Sequence, residues 1–149
     1  KATVREFLST KFMQKRLPLI MEAVVGAGVK HCVIMSAYGV GNTVRSASFL
    51  MRVVCKTIMR SIFRDRVKAD AMVTKYQPYI SRAMPGRLTN KPGKGGAKVV
   101  DMTSIAQVPG IPTIAREDVA EALLNIAGNP QNAGTDFLVT IDDVVLRAT

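Results

Sequence analysis

The chain predicts an α/β domain: a parallel sheet wound on both faces by helices. Three observations carry this. First, an amphipathic segment over residues 5–27 leads into the apolar run Val29–Met35 and then into a polar, glycine-bearing turn, Ser36-Ala-Tyr-Gly-Val-Gly41. Helix, strand and loop in that order are the grammar of parallel sheets, whose strands are covered on both faces and read as apolar runs. Second, the alternation returns downstream, with strand-like segments over 79–84 and 137–141 and a helix-like segment over 116–127 between them. Third, 48% of the 149 residues are hydrophobic, which suits a core on both sides of a sheet and is too much for a disordered chain.

The elements follow in order. Phe7, Leu8, Phe12, Leu17, Ile20, Met21, Val24 and Val25 approximate a helical stripe over 5–27, stopped by Gly26 and Gly28, with Pro18 expected to kink it or to start a second segment. Val29–Met35 is expected as a buried strand and 39–43 as a loop. From 45 to 62, Phe49, Leu50, Val53, Val54, Ile58, Met59 and Ile62 recur at the helical period. A further helix over 64–74 would carry Arg64, Asp65, Arg66, Lys68 and Asp70 on one side. The strand over 79–84 ends at Pro85-Gly86, and Lys91-Pro-Gly-Lys-Gly-Gly96 reads as a flexible loop, with Lys91, Lys94 and Lys98 solvated. A short strand over 99–102 and a turn at Pro109-Gly-Ile-Pro112 follow. Over 116–127, Val119, Ala122, Leu123 and Ile126 form a stripe; Glu117 and Asp118 suit the positive end of the helix dipole, and Gly128 closes it. Residues 137–141 alternate like a last strand. Neither an internal repeat nor a domain boundary interrupts the chain, so 1–149 reads as one domain.

Composition excludes several classes. No apolar run approaches the ~20 residues of a membrane span. No uninterrupted apolar core follows Lys1, so a signal peptide is not expected; with no initiator Met, the chain is expected to be a processed or trimmed piece. Cys32 and Cys55 lack metal-ligand spacing and read as small buried hydrophobes, which points to a reducing, cytoplasmic setting. The formal net charge of +10 invites nucleic acid, but the basic residues are dispersed and do not interleave with the few aromatics, so nucleic acid is not the expected partner. Carboxylates are scattered and His31 is the single histidine, so no metal site is expected.

Four pieces recur together here: 28–41 (Gly-Val-Lys-His into Val-Ile-Met-Ser-Ala-Tyr-Gly-Val-Gly), Phe63-Arg-Asp-Arg66, Met84-Pro-Gly-Arg-Leu-Thr-Asn90 and Thr113-Ile-Ala-Arg-Glu-Asp-Val-Ala120. In this order and spacing the chain resembles the C-terminal part of the atypical short-chain dehydrogenase/reductase group, the NAD(P)H-binding, NmrA-like and biliverdin-reductase-B-like proteins. The resemblance implies a Rossmann-like doubly wound sheet whose N-terminal glycine-rich βαβ portion is not in this sequence. That portion would cradle the pyrophosphate on a helix N-terminus. It also implies an NADP or NAD cofactor, a small-molecule substrate, and a nicotinamide ring between the loop after Ser36 and the turn Pro85-Gly86-Arg87-Leu88. The expected function is hydride delivery to a small carbonyl, quinone or flavin-like acceptor; the alternatives are a non-catalytic NAD(P)H sensor or scaffold, and a basic nucleic-acid-binding module.

Individual residues divide between site and scaffold. Ligands of parallel sheets lie beyond the carboxyl ends of the strands, which is where Ser36, Ala37 and Tyr38 fall. Ser36 could hydrogen-bond a substrate carbonyl or the nicotinamide amide, or merely satisfy loop backbone. Tyr38 could donate a phenolic proton, or its ring could be packing. The wider superfamily places a Tyr four residues before a Lys, whose charge lowers the phenol pKa. Lys68 would put Arg64 at the Tyr position and Arg66 would put Ile62 there, so the pair is missing. Arg66 could touch the nicotinamide ribose, or be a solvated charge paired i,i+4 with Asp70. Arg87 could hold a phosphate or a substrate carboxylate. The unpaired edge left by the missing first strands calls for a homodimer or a completing N-terminal segment.

Overall fold

The computed structural model describes residues 11–39, 41–56 and 60–147. Its elements are α1 (Phe12–Gly26), β1 (Cys32–Met35), a 3-10 segment (Gly41–Ser46), α2 (Phe49–Lys56), α3 (Arg60–Met72), a second 3-10 segment (Thr74–Tyr79), β2 (Ile80–Pro85), β3 (Arg87–Thr89), β4 (Lys98–Asp101), β5 (Ile105–Gln107), β6 (Thr113–Ala115), α4 (Arg116–Ala127), β7 (Asp136–Thr140) and β8 (Val145–Leu146). The main sheet has the order β1-β2-β7-β4. Its first three strands are parallel, with Met35 opposite Ala83 and Arg82 opposite Asp136, and β4 closes it antiparallel. Two ribbons, β3–β6 and β5–β8, flank it. The expected doubly wound α/β architecture is present.

Alternation along β2 assigns its two faces. Ile80 packs with Leu17 and Met21 of α1 and Ala69 and Val73 of α3. Met84 packs on the same side with Tyr38, Met51, Phe63 and Leu138. Ala83 faces the other way, against Val119, Ala122 and Ile126 of α4 and Phe137 and Val139 of β7. The ends of α1 are fixed from different sources. At the start, Asp65 of α3 accepts from the Met13 and Gln14 N–H groups at 2.8 and 3.4 Å, supplying from another helix the acceptor Lys11 lacks. At the stop, the Ala27 N–H returns to the Ala23 carbonyl and Gly28 takes φ 70, a conformation that favours glycine.

Several expectations are corrected. The helix over 5–27 is described from Phe12; residues 5–10 lie outside the described residues. Pro18 sits inside α1 without ending it, and of the proposed stripe Leu17 and Met21 are buried while Ile20 and Val25 are exposed. The Val29–Met35 strand is shorter and only half-buried, with Met35 45% exposed, because β1 is an edge strand pairing with β2 alone among the described residues. Cys32 is accordingly a half-buried free thiol. The expected loop over 39–43 enters a 3-10 segment, and an isolated bridge from Ala47 to Val108 separates it from α2. This interruption resets the helical phase, so Phe49, Leu50 and Val53 face outward and Met51 is buried instead; Ile58 and Met59 lie outside the described residues. The charges of 64–74 do not share one wet side, since Asp65 and Asp70 are buried. The last strand is buried along Phe137–Thr140 rather than alternating, because it is central. By contrast α4 spans the expected residues, and β2 begins one residue late and takes in Pro85. Among the described residues, no helix is long and apolar enough to cross a membrane.

Candidate functional site

The loops after β1 and β2 run side by side at the carboxyl ends of their strands. The Ser36 N–H donates to the Ala83 carbonyl at 2.7 Å and the Tyr38 N–H to the Pro85 carbonyl at 2.9 Å, which brings Ser36-Ala37-Tyr38 against Pro85-Gly86-Arg87-Leu88. The second loop holds its course because Gly86 has no side chain: a Cβ there would lie 2.2 Å from the Pro112 carbonyl oxygen. That oxygen accepts from the Arg87 N–H at 2.8 Å and starts the β3–β6 ribbon. Arg87 is exposed; Leu88 is half-buried against the α4-side core, and Ala37 packs on the other core.

Tyr38 is 1% exposed, closed in by Met51, Phe63, Met84 and Leu138. Its hydroxyl lies 3.1 Å from Ser46 Oγ. Ser46 spends its own proton on the Thr43 carbonyl, so the phenol is the donor. Tyr38 therefore sits as a packed ring with its hydroxyl hydrogen-bonded to Ser46.

Ser36 is the entry to a buried charged network. Its hydroxyl donates to Asp70 Oδ2 at 3.5 Å and accepts from Arg66 Nε at 3.3 Å, while Arg66 Nη2 donates to the Met35 carbonyl. Asp70 Oδ1 lies 3.6 Å from Arg66 Nε, and its Oδ2 lies 3.8 Å from Arg82 Nη1. Arg82 is itself clasped in a two-pronged pair by Asp136, at 2.7 and 2.5 Å. Burial pushes the Asp70 carboxyl above the usual aspartate range, outweighing the pull of Arg66 and Arg82. Burial likewise lowers Arg66, against the opposing charge of Asp70. Arg82 is also depressed by burial, but the Asp136 hydrogen bonds and charge, with Asp70, more than offset this and raise it. The expected solvated Arg66–Asp70 pair is thus corrected: the side chains are only 16% and 10% exposed, because α3 lays this turn on the sheet.

The glycine-rich loop over 91–96 is tied down rather than loose. Gly93 and Gly95 N–H groups donate to Glu117 Oε2 and Asp118 Oδ1 at 2.8 and 2.9 Å, and the Lys94 N–H to Asp118 Oδ2 at 3.2 Å. The acids expected to serve the α4 dipole therefore also clamp this loop. Lys98 opens β4 and pairs with Asp143. Arg116 Nη1 donates to the Asn90 side chain. His31 lies at the opposite end of the sheet, its Nε2 2.8 Å from Ser81 Oγ, which donates to the Asn132 carbonyl. Arg82, Asp136 and the central place of Asp70 were not singled out in the sequence. The available signal was a charge inside the apolar strand Ile80–Pro85, which burial obliges to find partners.

A family model described as NAD(P)H-binding matches residues 7–130. No curated protein matches the chain significantly. Among solved structures, a putative NAD-dependent epimerase/dehydratase from Bacillus halodurans superposes with a TM-score of 0.66 at 17% identity, covering 96% of this chain and 59% of its own. A short-chain dehydrogenase/reductase from Veillonella parvula, solved in complex with NADP, gives 0.66 at 16% identity, with coverages of 83% and 56%. ChuY, an anaerobilin reductase from Escherichia coli O157:H7, gives 0.60 at 14% identity, with coverages of 96% and 62%. The fold is the Rossmann-like one these proteins share, and the chain spans about 60% of their length.

Proposed function

The chain belongs to the NAD(P)H-binding family, and from that premise we propose that it holds the nicotinamide end of NADP or NAD at the carboxyl ends of β1 and β2, and serves reduction of a small carbonyl, quinone or flavin-like acceptor. The observation that supports this is the pairing of the two loops through Ser36–Ala83 and Tyr38–Pro85, which brings two distant segments side by side. Parallel sheets take their ligands at this place. The residues fit the group: a serine hydroxyl and a guanidinium stand at the end of β1, and the turn after β2 offers the exposed Arg87.

When bound, the cofactor supplies the hydride. The chain's own part is to bind, orient and exclude water. Ser36 would donate to the nicotinamide amide or to an acceptor carbonyl, Arg66 would reach the nicotinamide ribose, and Arg87 would take a phosphate or an acceptor carboxylate. Ala37, Tyr38, Pro85, Gly86 and Leu88 would form the walls, Tyr38 as a fixed ring. The enclosed Tyr38 and the absent Tyr-x-x-x-Lys pair also favour a second reading, a sensor that binds NAD(P)H without turning it over.

Titration of the natural full-length protein with NADPH, followed by nicotinamide fluorescence, tests the shared premise. Saturable binding is expected, weakened about tenfold by Arg66→Ala, the loss of one charged hydrogen bond. Absence of saturation overturns the proposal. NADPH consumption with a naphthoquinone or free flavin mononucleotide separates the readings: turnover supports the reductase, and tight binding without it supports the sensor.

A further inference from the structure

Reduction of the acceptor takes up a proton as well as a hydride; this sequence carries no Tyr-x-x-x-Lys pair, and the Tyr38 hydroxyl is buried against Ser46. We propose that Asp70 provides this proton through the Ser36 hydroxyl, which makes Ser36 the catalytic donor and Asp70 a positioning and proton-loading residue behind it. The inference rests on the reductase reading above.

The geometry is a carboxyl group left short of hydrogen bonds beside the strand-end serine. Asp70 is 8% exposed, and among the described residues its buried Oδ1 has no hydrogen-bond partner. Two arginines stand near, but both are committed elsewhere: Arg82 to Asp136, Arg66 to Ser36 Oγ and the Met35 carbonyl. They approach Asp70 only to 3.8 and 3.6 Å, longer than the close hydrogen-bonded contacts of a tight ion pair, so their pull toward the ionised form is outweighed by burial. Among the described residues, Asp70 also faces Ser36, at 3.5 Å from Oδ2, and Asp136, whose negative charge opposes ionisation of Asp70. Burial acts in the same direction.

The protonation state of Asp70 sets where the Ser36 proton points. With Asp70 ionised, the Ser36 O–H is turned inward to Oδ2, while Arg66 Nε occupies a lone pair of Oγ. With Asp70 protonated, its own O–H donates to Ser36 Oγ and the serine proton is released to point at an acceptor. In the reaction, the acceptor takes a hydride and is reduced by two electrons as NAD(P)H is oxidised. The Ser36 O–H bond breaks as a new O–H or N–H bond forms on the acceptor. The Asp70 O–H bond breaks as Ser36 regains its proton, and the Asp70 carboxylate is reprotonated from water.

The first test needs no cofactor. The side-chain carboxyl carbon of Asp70, assigned by its loss in Asp70→Asn, is titrated by carbon-13 NMR in the intact protein. A midpoint above the ordinary aspartate range is expected, moving higher in Ser36→Ala, which removes the hydrogen bond to the ionised form. An ordinary midpoint, or one indifferent to Ser36→Ala, overturns the proposal, whether or not Asp70→Asn folds well enough for kinetics. The second test is turnover with free flavin mononucleotide. The wild-type rate should fall as pH rises through the Asp70 midpoint. Asp70→Asn should lose about 10²-fold together with that pH limb and the solvent isotope effect, and Asp70→Glu should restore part of both. A variant that keeps the limb defeats the relay while leaving the reductase reading intact; failure of wild-type protein to bind NADPH defeats both.

Discussion

Arg82→Leu is expected to lower the stability of the fold by about 3 kcal/mol, the lower end of the range for removing one partner of a buried ion pair. The lower end applies because about a fifth of the Arg82 side chain and a quarter of Asp136 remain in solvent. The substitution deletes the two-pronged clasp on Asp136 and a cation facing Asp70. Its pH dependence has a definite sign. The folded-state pKa of Asp70 lies above the ordinary aspartate value of 3.8, so the folded protein keeps this proton longer than the unfolded chain. The associated stability is fully present below that value and is lost as pH rises through the raised one. Without Arg82 the Asp70 pKa rises further, so urea unfolding of Arg82→Leu should show stability falling with rising pH over a wider window than in wild type. Superimposable pH profiles would mean that Asp70 and Arg82 are not coupled.

The second large effect is at Gly86. Gly86→Ala would place a Cβ 2.2 Å from the Pro112 carbonyl oxygen, a backbone atom held in place by the Arg87 N–H. Nothing flexible can yield, so the turn itself must shift. Overpacking of this kind costs about 1–3 kcal/mol, and the shift moves Arg87 and Leu88 away from Ser36, so NADPH affinity should fall about tenfold as well, a factor worth about 1.4 kcal/mol. Gly26→Ala is the control: no atom of the described residues lies within 4 Å of its Cβ, and the site is far from α1's last turn, so both quantities should stay near wild type. Equal melting temperatures and affinities for the two variants would remove the argument that Gly86 shapes the site.

What the sequence made legible is what short-range chemistry encodes. The helix α4 announces itself through Glu117 and Asp118 at its start and Gly128 at its end, and β2 through an apolar run stopped by Pro85-Gly86. Ser36–Tyr38 and Pro85–Leu88 follow β1 and β2, and the chain brings these segments into contact. Sheet order is not encoded locally, and the errors follow from it. The run ending at Met35 reads as buried because its composition is that of a central strand, yet β1 stands at an edge of the described sheet. The segment over 45–62 keeps a helical period, but the bridge from Ala47 to Val108 turns Phe49 and Leu50 outward. Arg66 and Asp70 match an exposed i,i+4 pair, and only the tertiary placement of α3 on the sheet buries them beside Arg82 and Ser36. Tyr38 could not be assigned from its position alone, because the core that encloses it is assembled from α2, α3, β2 and β7.

The central claim is that NAD(P)H meets this chain at the paired ends of β1 and β2. Hydrogen exchange of backbone amides in the natural full-length protein, with and without saturating NADPH, tests it most directly. The account predicts new protection at Ser36–Tyr38 and at Gly86–Leu88, with little change at His31 and Ser81 at the other end of the sheet. Saturable binding that leaves both loops unprotected, or protects the His31 end instead, would contradict it.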